Sequence, residues 1–171
     1  AKRSTESPEA MKAYLQGRAN WLRGDQAGYS NSIVLFQQAI ALDPNFALAY
    51  AGLADAWTAS SSTHVPPAQA YPQAKAAARR ALELQEDLPD AQVAAGMAVL
   101  FSDWDWGQAE RHLTRAIELA PDLAQARFAF SCFLAAAGRL DDSVQQGMEA
   151  VQRNPLAPDY LLDLSMYYLA K

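Results

Sequence analysis

One short pattern recurs along this chain at nearly fixed spacing. It reads Ala39-Ile40-Ala41-Leu42-Asp43-Pro44, then Ala116-Ile117-Glu118-Leu119-Ala120-Pro121, then Ala150-Val151-Gln152-Arg153-Asn154-Pro155. A fourth copy, Ala81-Leu82-Glu83-Leu84-Gln85-Glu86, lacks the proline. Pro121 and Pro155 are 34 residues apart. A period of this size means small units that bury their apolar faces only by stacking on one another. Composition says what the units are made of. Ala fills 36 positions and Leu 20, whereas Val and Ile together fill 9. Ala and Leu lose least on entering a helix, and β-branched residues suit pleated sheets. That balance excludes an all-β fold and disfavours α/β.

Counting the recurring proline as position 32 of a unit, other offsets fall into line. Position 20 reads Ser32, Ala74, Ala109 and Ser143, and position 27 reads Ala39, Ala81, Ala116 and Ala150. Position 8 reads Ala54, Gly96, Ser131 and Ser165 in the last four units. Large residues recur too: Tyr50 at position 4, Trp57 at position 11, Phe36 and Leu113 at position 24. In these residues the chain, from about residue 10 to its end, resembles the tetratricopeptide repeat (TPR) family. The resemblance implies an all-α, right-handed solenoid of antiparallel helix pairs: four repeats plus one further helix, about nine helices. Small residues would stand where paired helices cross closely.

The expected organisation is a tail over 1–7 and units over about 8–45, 46–87, 88–122, 123–156 and a partial unit 157–171. Helices are expected over about 8–23, 29–42, 46–60, 72–85, 89–101, 105–119, 123–136, 140–153 and 158–170. Unit one departs from the pattern, with Arg18 where a small residue belongs and an insertion near Gly24 to Ser30. Unit two carries about eight extra residues, including the stretch from Ser60 to Pro67, and unit three one extra at Asp103-Trp104-Asp105-Trp106. Pro72 lacks an N–H and restricts Tyr71, so a loop with one helical turn is expected before it. Asp103 and Asp105 are expected to cap helix six, with Trp104 and Trp106 packing the turn.

Little in the sequence speaks for chemistry. His64 belongs to a loop and His112 to an outer helix, and Cys132 has no His at metal-ligand spacing. Gly17, Gly24 and Gly28 follow no strand, so no phosphate loop is expected. No enzyme activity, cofactor or metal is expected. A net charge of −5 disfavours direct binding of nucleic acid by this segment. The longest uninterrupted apolar run, Val93 to Phe101, is far short of the ~20 residues of a membrane span. With one Cys and no apolar leader after Ala1, the expected location is cytoplasmic.

The family's concave face is built chiefly from positions 2, 5, 9 and 12 of each first helix. Here those are Lys12, Leu15, Ala19 and Leu22 in unit one; Leu48, Ala51, Asp55 and Thr58 in unit two; Asp90, Val93, Met97 and Leu100 in unit three. Unit four gives Gln125, Phe128, Cys132 and Ala135, and the last helix Asp159, Leu162, Met166 and Leu169. Members that clamp a carboxyl terminus carry Lys, Arg and Asn there, and this chain has almost none. Val93, Met97, Leu100, Phe128, Cys132, Leu162 and Met166 instead form an apolar stripe suited to a helix or extended peptide of a protein partner. Two other readings of the same residues are packing between inner helices and a pocket for a small effector. Leu161, Leu164 and Tyr168 face no second helix within this sequence, which fits an array that continues past Lys171 or self-association as a homodimer. Finally, the strings Tyr14 to Arg18 with Trp21, Ala47 to Trp57 and Asp103 to Trp106 resemble a branch of bacterial repeats. In that branch the array follows a signalling or transcription-regulating output domain.

Overall fold

The structure, a computed structural model, describes residues 4–155, 160–161 and 163–166. Eight helices follow in order: α1 (Pro8–Trp21), α2 (Gln26–Leu42), α3 (Ala47–Ser60), α4 (Pro67–Leu84), α5 (Pro89–Asp103), α6 (Trp106–Leu119), α7 (Ala124–Ala136) and α8 (Leu140–Arg153). Residues 160–161 and 163–166 are helical as well, where the ninth helix is expected. No strand occurs among the described residues.

The repeat pattern works through the turn that ends each unit. The backbone N–H groups of Asp43, Gln85, Ala120 and Asn154 donate to the carbonyls of Ala39, Ala81, Ala116 and Ala150. Three residues after the first three of these, Phe46, Leu88 and Leu123 donate back to Asp43, Gln85 and Ala120. The turn is thus the same in the unit where Glu86 replaces proline. Phe46 and Leu88 are buried there and fix the angle at which the next helix starts, with apolar contact standing in for a side-chain cap.

Small residues let the helices of a pair touch. All four position-27 alanines are fully buried, as are Ser32, Ala74, Ala109 and Ser143 at position 20. Between α7 and α8 the crossing is polar: Ser131 Oγ donates to the Ser143 carbonyl at 2.8 Å, and Ser143 Oγ to the Ser131 carbonyl at 2.9 Å. First helices also pack on the next first helix (α1 on α3, α3 on α5, α5 on α7), and no second helix packs so on the next among the described residues. A stack held closer on one side curves toward it, so the first helices form the concave face. The result is the all-α TPR solenoid.

Four expectations need correction. In unit one the residue that meets the position-24 ring is Gly17, where a Cβ would stand 2.7 Å from Phe36 Cε1. The register of α1 therefore slips by one, Gly17 takes the place of the crossing residue, and Arg18 turns inward. Next, α2 starts at Gln26, three residues early, because Asp25 caps it by accepting from the Gly28 N–H at 2.6 Å.

Then, α4 begins at Pro67 and runs through Pro72 without a break. Pro67 suits a first turn, and Pro72 sits early enough to cost a single intrahelical bond. Last, Asp103 caps nothing: it pairs with Lys75 across units, and Asp105 alone caps α6, from the Gln108 N–H at 2.9 Å. The extra residue of unit three is absorbed by Trp104 in a left-handed conformation, φ 53°. Trp106 rests on Phe133, with ring centroids 5.9 Å apart, and Trp104 packs on Trp106 at 6.3 Å while staying 66% exposed.

Candidate functional site

Curvature brings the concave face around a cavity of about 600 Å3. It is walled by α1, α3, α5 and α7, by Tyr29 of α2 and Tyr71 of α4, and by Asn154, Tyr160 and Asp163 beyond them. At its floor a buried polar chain joins three helices. Gln125 Nε2 of α7 donates to Asp55 Oδ2 of α3 at 2.7 Å. Arg18 Nη2 of α1 donates to Gln125 Oε1 at 3.2 Å, and Arg18 Nη1 lies 3.8 Å from the same Asp55 oxygen. The Arg18 guanidinium also stands 5.1 Å from the centre of the Trp21 ring.

Burial dominates the electrostatics. It pushes the Asp55 carboxyl up to about 7, against the pull of Arg18 and of the Gln125 hydrogen bond. Asp90, on α5, is raised for the same reason, with Arg18 opposing. Tyr14 is raised to about 12, again by burial. Trp21 Nε1 is a buried donor with no acceptor among the described residues.

Of the residues expected to form the apolar stripe, Val93, Met97 and Phe128 line this cavity. Leu100 is buried in the core with Leu113 and Phe133 instead. Cys132 lies behind Asp163, its Sγ 3.9 Å from Oδ2. Met166 is 52% exposed, and Leu162 lies outside the described residues. Among Leu161, Leu164 and Tyr168, Leu161 is exposed, Leu164 is half-buried against Gly147 of α8, and Tyr168 lies outside the described residues. Of the residues expected inward in unit one, Leu22 lines the cavity, while the register slip leaves Lys12, Leu15 and Ala19 facing solvent and turns Tyr14, Arg18 and Trp21 in. The signal for this was present in the sequence as Gly17 next to Arg18, a small residue one place early.

Groups with chemical potential elsewhere are held in local bonds. His64 Nε2 meets Ser30 Oγ at 2.9 Å, and its Nδ1 meets Thr63 Oγ1 at 2.8 Å. Both ring nitrogens thus face hydroxyls, with no carboxylate to orient the ring as a base. His112 Nδ1 meets Gln92 Oε1 at 2.7 Å. Among the described residues no cluster of three His, Cys, Asp or Glu side chains is placed to hold a metal ion. None of the described helices is long and apolar enough to cross a membrane.

No family model and no curated protein matches this sequence. Solved structures do match. A thermophilic TPR protein of Thermus thermophilus superposes with a TM-score of 0.64 at 17% identity, over 94% of this chain and 99% of its own. PilF of Pseudomonas aeruginosa gives 0.61 at 19% identity, over 95% and 69%. YrrB, described as a TPR protein with an unusual peptide-binding site, gives 0.52 at 22% identity, over 99% and 79%. At such identities the likeness is one of fold.

Proposed function

We propose that this chain is a non-catalytic protein–protein interaction module that receives a segment of a partner protein in its concave cavity. The observation that carries the proposal is the cavity itself, built by first helices of all four units and walled by Met97, Phe128 and other aromatic residues. Flexible Met and flat rings adapt to a helix or an extended peptide, and burial of its apolar side chains supplies the affinity. The peptide-binding site named for YrrB supports the same use of the fold. We further read the module as the regulatory part of a larger cytoplasmic signalling or transcription-regulating protein of bacteria, on the likeness of its repeat strings to that branch.

A peptide library selected on the wild-type chain and re-tested on Phe128→Asp combined with Met97→Asp examines this. Circular dichroism would first establish that the double variant keeps its helices. Selected peptides should lose at least about tenfold in affinity on the double variant, which is ~1.4 kcal/mol. Peptides that bind both proteins equally would refute the cavity as their site. One observation favours a second reading: a volume of about 600 Å3 also suits a small effector. A metabolite screen read by thermal stabilisation separates the two, because a ligand that binds only the folded state raises its melting point.

A further inference from the structure

The structure assigns a chemistry to the occupant of the concave cavity: a lysine or arginine carried on an apolar segment of a partner protein. This rests on the interaction-module reading above and deepens it. Six aromatic residues line the cavity: Trp21, Tyr29, Tyr71, Phe101, Phe128 and Tyr160. Its charged lining residues are Asp55, which Arg18 of the same chain already approaches at 3.8 Å, and Asp163. Aromatic rings with carboxylates behind them attract cations, because the ring face is negative and the carboxylate supplies the full charge.

The same wall already holds one guanidinium of the chain's own. Arg18 stands over Trp21 at 5.1 Å and beside Asp55 at 3.8 Å. The parts of that arrangement recur at the other end of the cavity. There Phe128 and Tyr160 stack with centroids 4.3 Å apart, and Asp163 lines the same stretch. The surrounding charge favours the same sign of ligand. Asp90 lies close enough to Asp55 to raise its pKa, and the whole chain carries a net charge of −5. An acidic segment would bring like charge against these carboxylates, so the cavity discriminates against it as well as for a base.

Three fluorescent amphipathic peptides test this, alike in their leucines and carrying lysine, glutamine or glutamate at the polar positions. Binding is read by anisotropy at pH 8 on the wild type, on Asp163→Asn, on Phe128→Leu, and on a control at the exposed turn, Glu86→Gln. The lysine peptide should bind about tenfold or more tightly than the glutamine peptide and should not be matched by the glutamate one. Asp163→Asn and Phe128→Leu should each weaken the lysine peptide by about threefold to tenfold, and Glu86→Gln should not.

Equal affinity for lysine and glutamine peptides, lost together on Phe128→Leu, would overturn the cation assignment and leave the groove reading standing. Lysine binding indifferent to both cavity variants would place it on the general acidic surface and overturn the assignment too. Failure of all three peptides to bind would count against both readings.

Discussion

At the scale of single residues, Asp55 concentrates the most chemistry. It is 8% exposed at the cavity, accepts a hydrogen bond from Gln125 of α7 and has Arg18 of α1 3.8 Å away. It also feels the charge of Asp90 on α5, and burial lifts it to about 7. In the unfolded chain it would titrate near the ordinary aspartate value of about 3.9. Between about pH 4 and pH 7 the folded state therefore holds a proton that the unfolded state has released. Folding takes up that proton, so this group's contribution is fully present below pH 4 and is lost as pH rises through 7. His112, lowered by burial, works in the opposite sense and gains as pH rises toward 6.5. Comparing wild type with Asp55→Asn isolates the first effect. Denaturant midpoints should fall across this window in the wild type relative to the variant, and parallel pH profiles would contradict the burial of a titrating carboxyl. Asp55, Asp90 and Gln125 are legible in the sequence as concave-face positions, but Arg18 is not. In the sequence Arg18 falls at a crossing position as a misfit, because the loop from Leu22 to Asp25 hides the one-residue slip. Gly17 beside Arg18 is the cue in the sequence, and the contact of Gly17 with Phe36 fixes the register.

At the scale of helices, the sequence pattern decides most boundaries and fails where a helix breaker is tolerated. Alanines at fixed positions and the repeated turn carry α5, α7 and α8 to within two residues of expectation. The pattern cannot weigh a proline's position against the packing of the rest of its helix. In α4, Ala70, Ala74, Ala77, Ala78 and Ala81 are buried against neighbouring helices, and that burial outweighs the one bond Pro72 cannot make. Pro72 itself is exposed, so its replacement removes no core contact. Alanine there restores a donor to the Ala68 carbonyl and raises helix propensity by up to ~3 kcal/mol. The freer unfolded chain offsets about 1 kcal/mol of that. Pro72→Ala should therefore stabilise the array by about 1–2 kcal/mol in urea titration. A loss of stability would mean that the proline bends α4 into a shape its neighbours require.

At the scale of the whole molecule, the curvature of the array is what sequence reading could least supply. It sums small rotations between units, and no local pattern reports the total. Its consequence is the contact of Arg18 with Gln125, 107 residues apart, between helices α1 and α7 whose backbones do not pack on each other. One long side chain spans the concave face and ties unit one to unit four. Arg18→Met keeps much of the aliphatic stem and removes the tie. It also leaves Asp55 without its cation, so Asp55 should stay protonated to higher pH rather than remain a bare buried charge. The consequence is geometric: with the brace gone, the spacing between α1 and α8 should lengthen and broaden. Spin labels at exposed Leu15 and Met148, introduced as cysteines in a Cys132→Ser background, would measure it by pulsed electron resonance. If Arg18→Met leaves that distance distribution unchanged, the curvature is set by helix packing alone. Arg18 would then be a wall of the cavity rather than its clasp. If the distance lengthens and a lysine peptide shortens it again, binding and curvature are coupled through one buried carboxylate, and the ligand does from outside what Arg18 does from within.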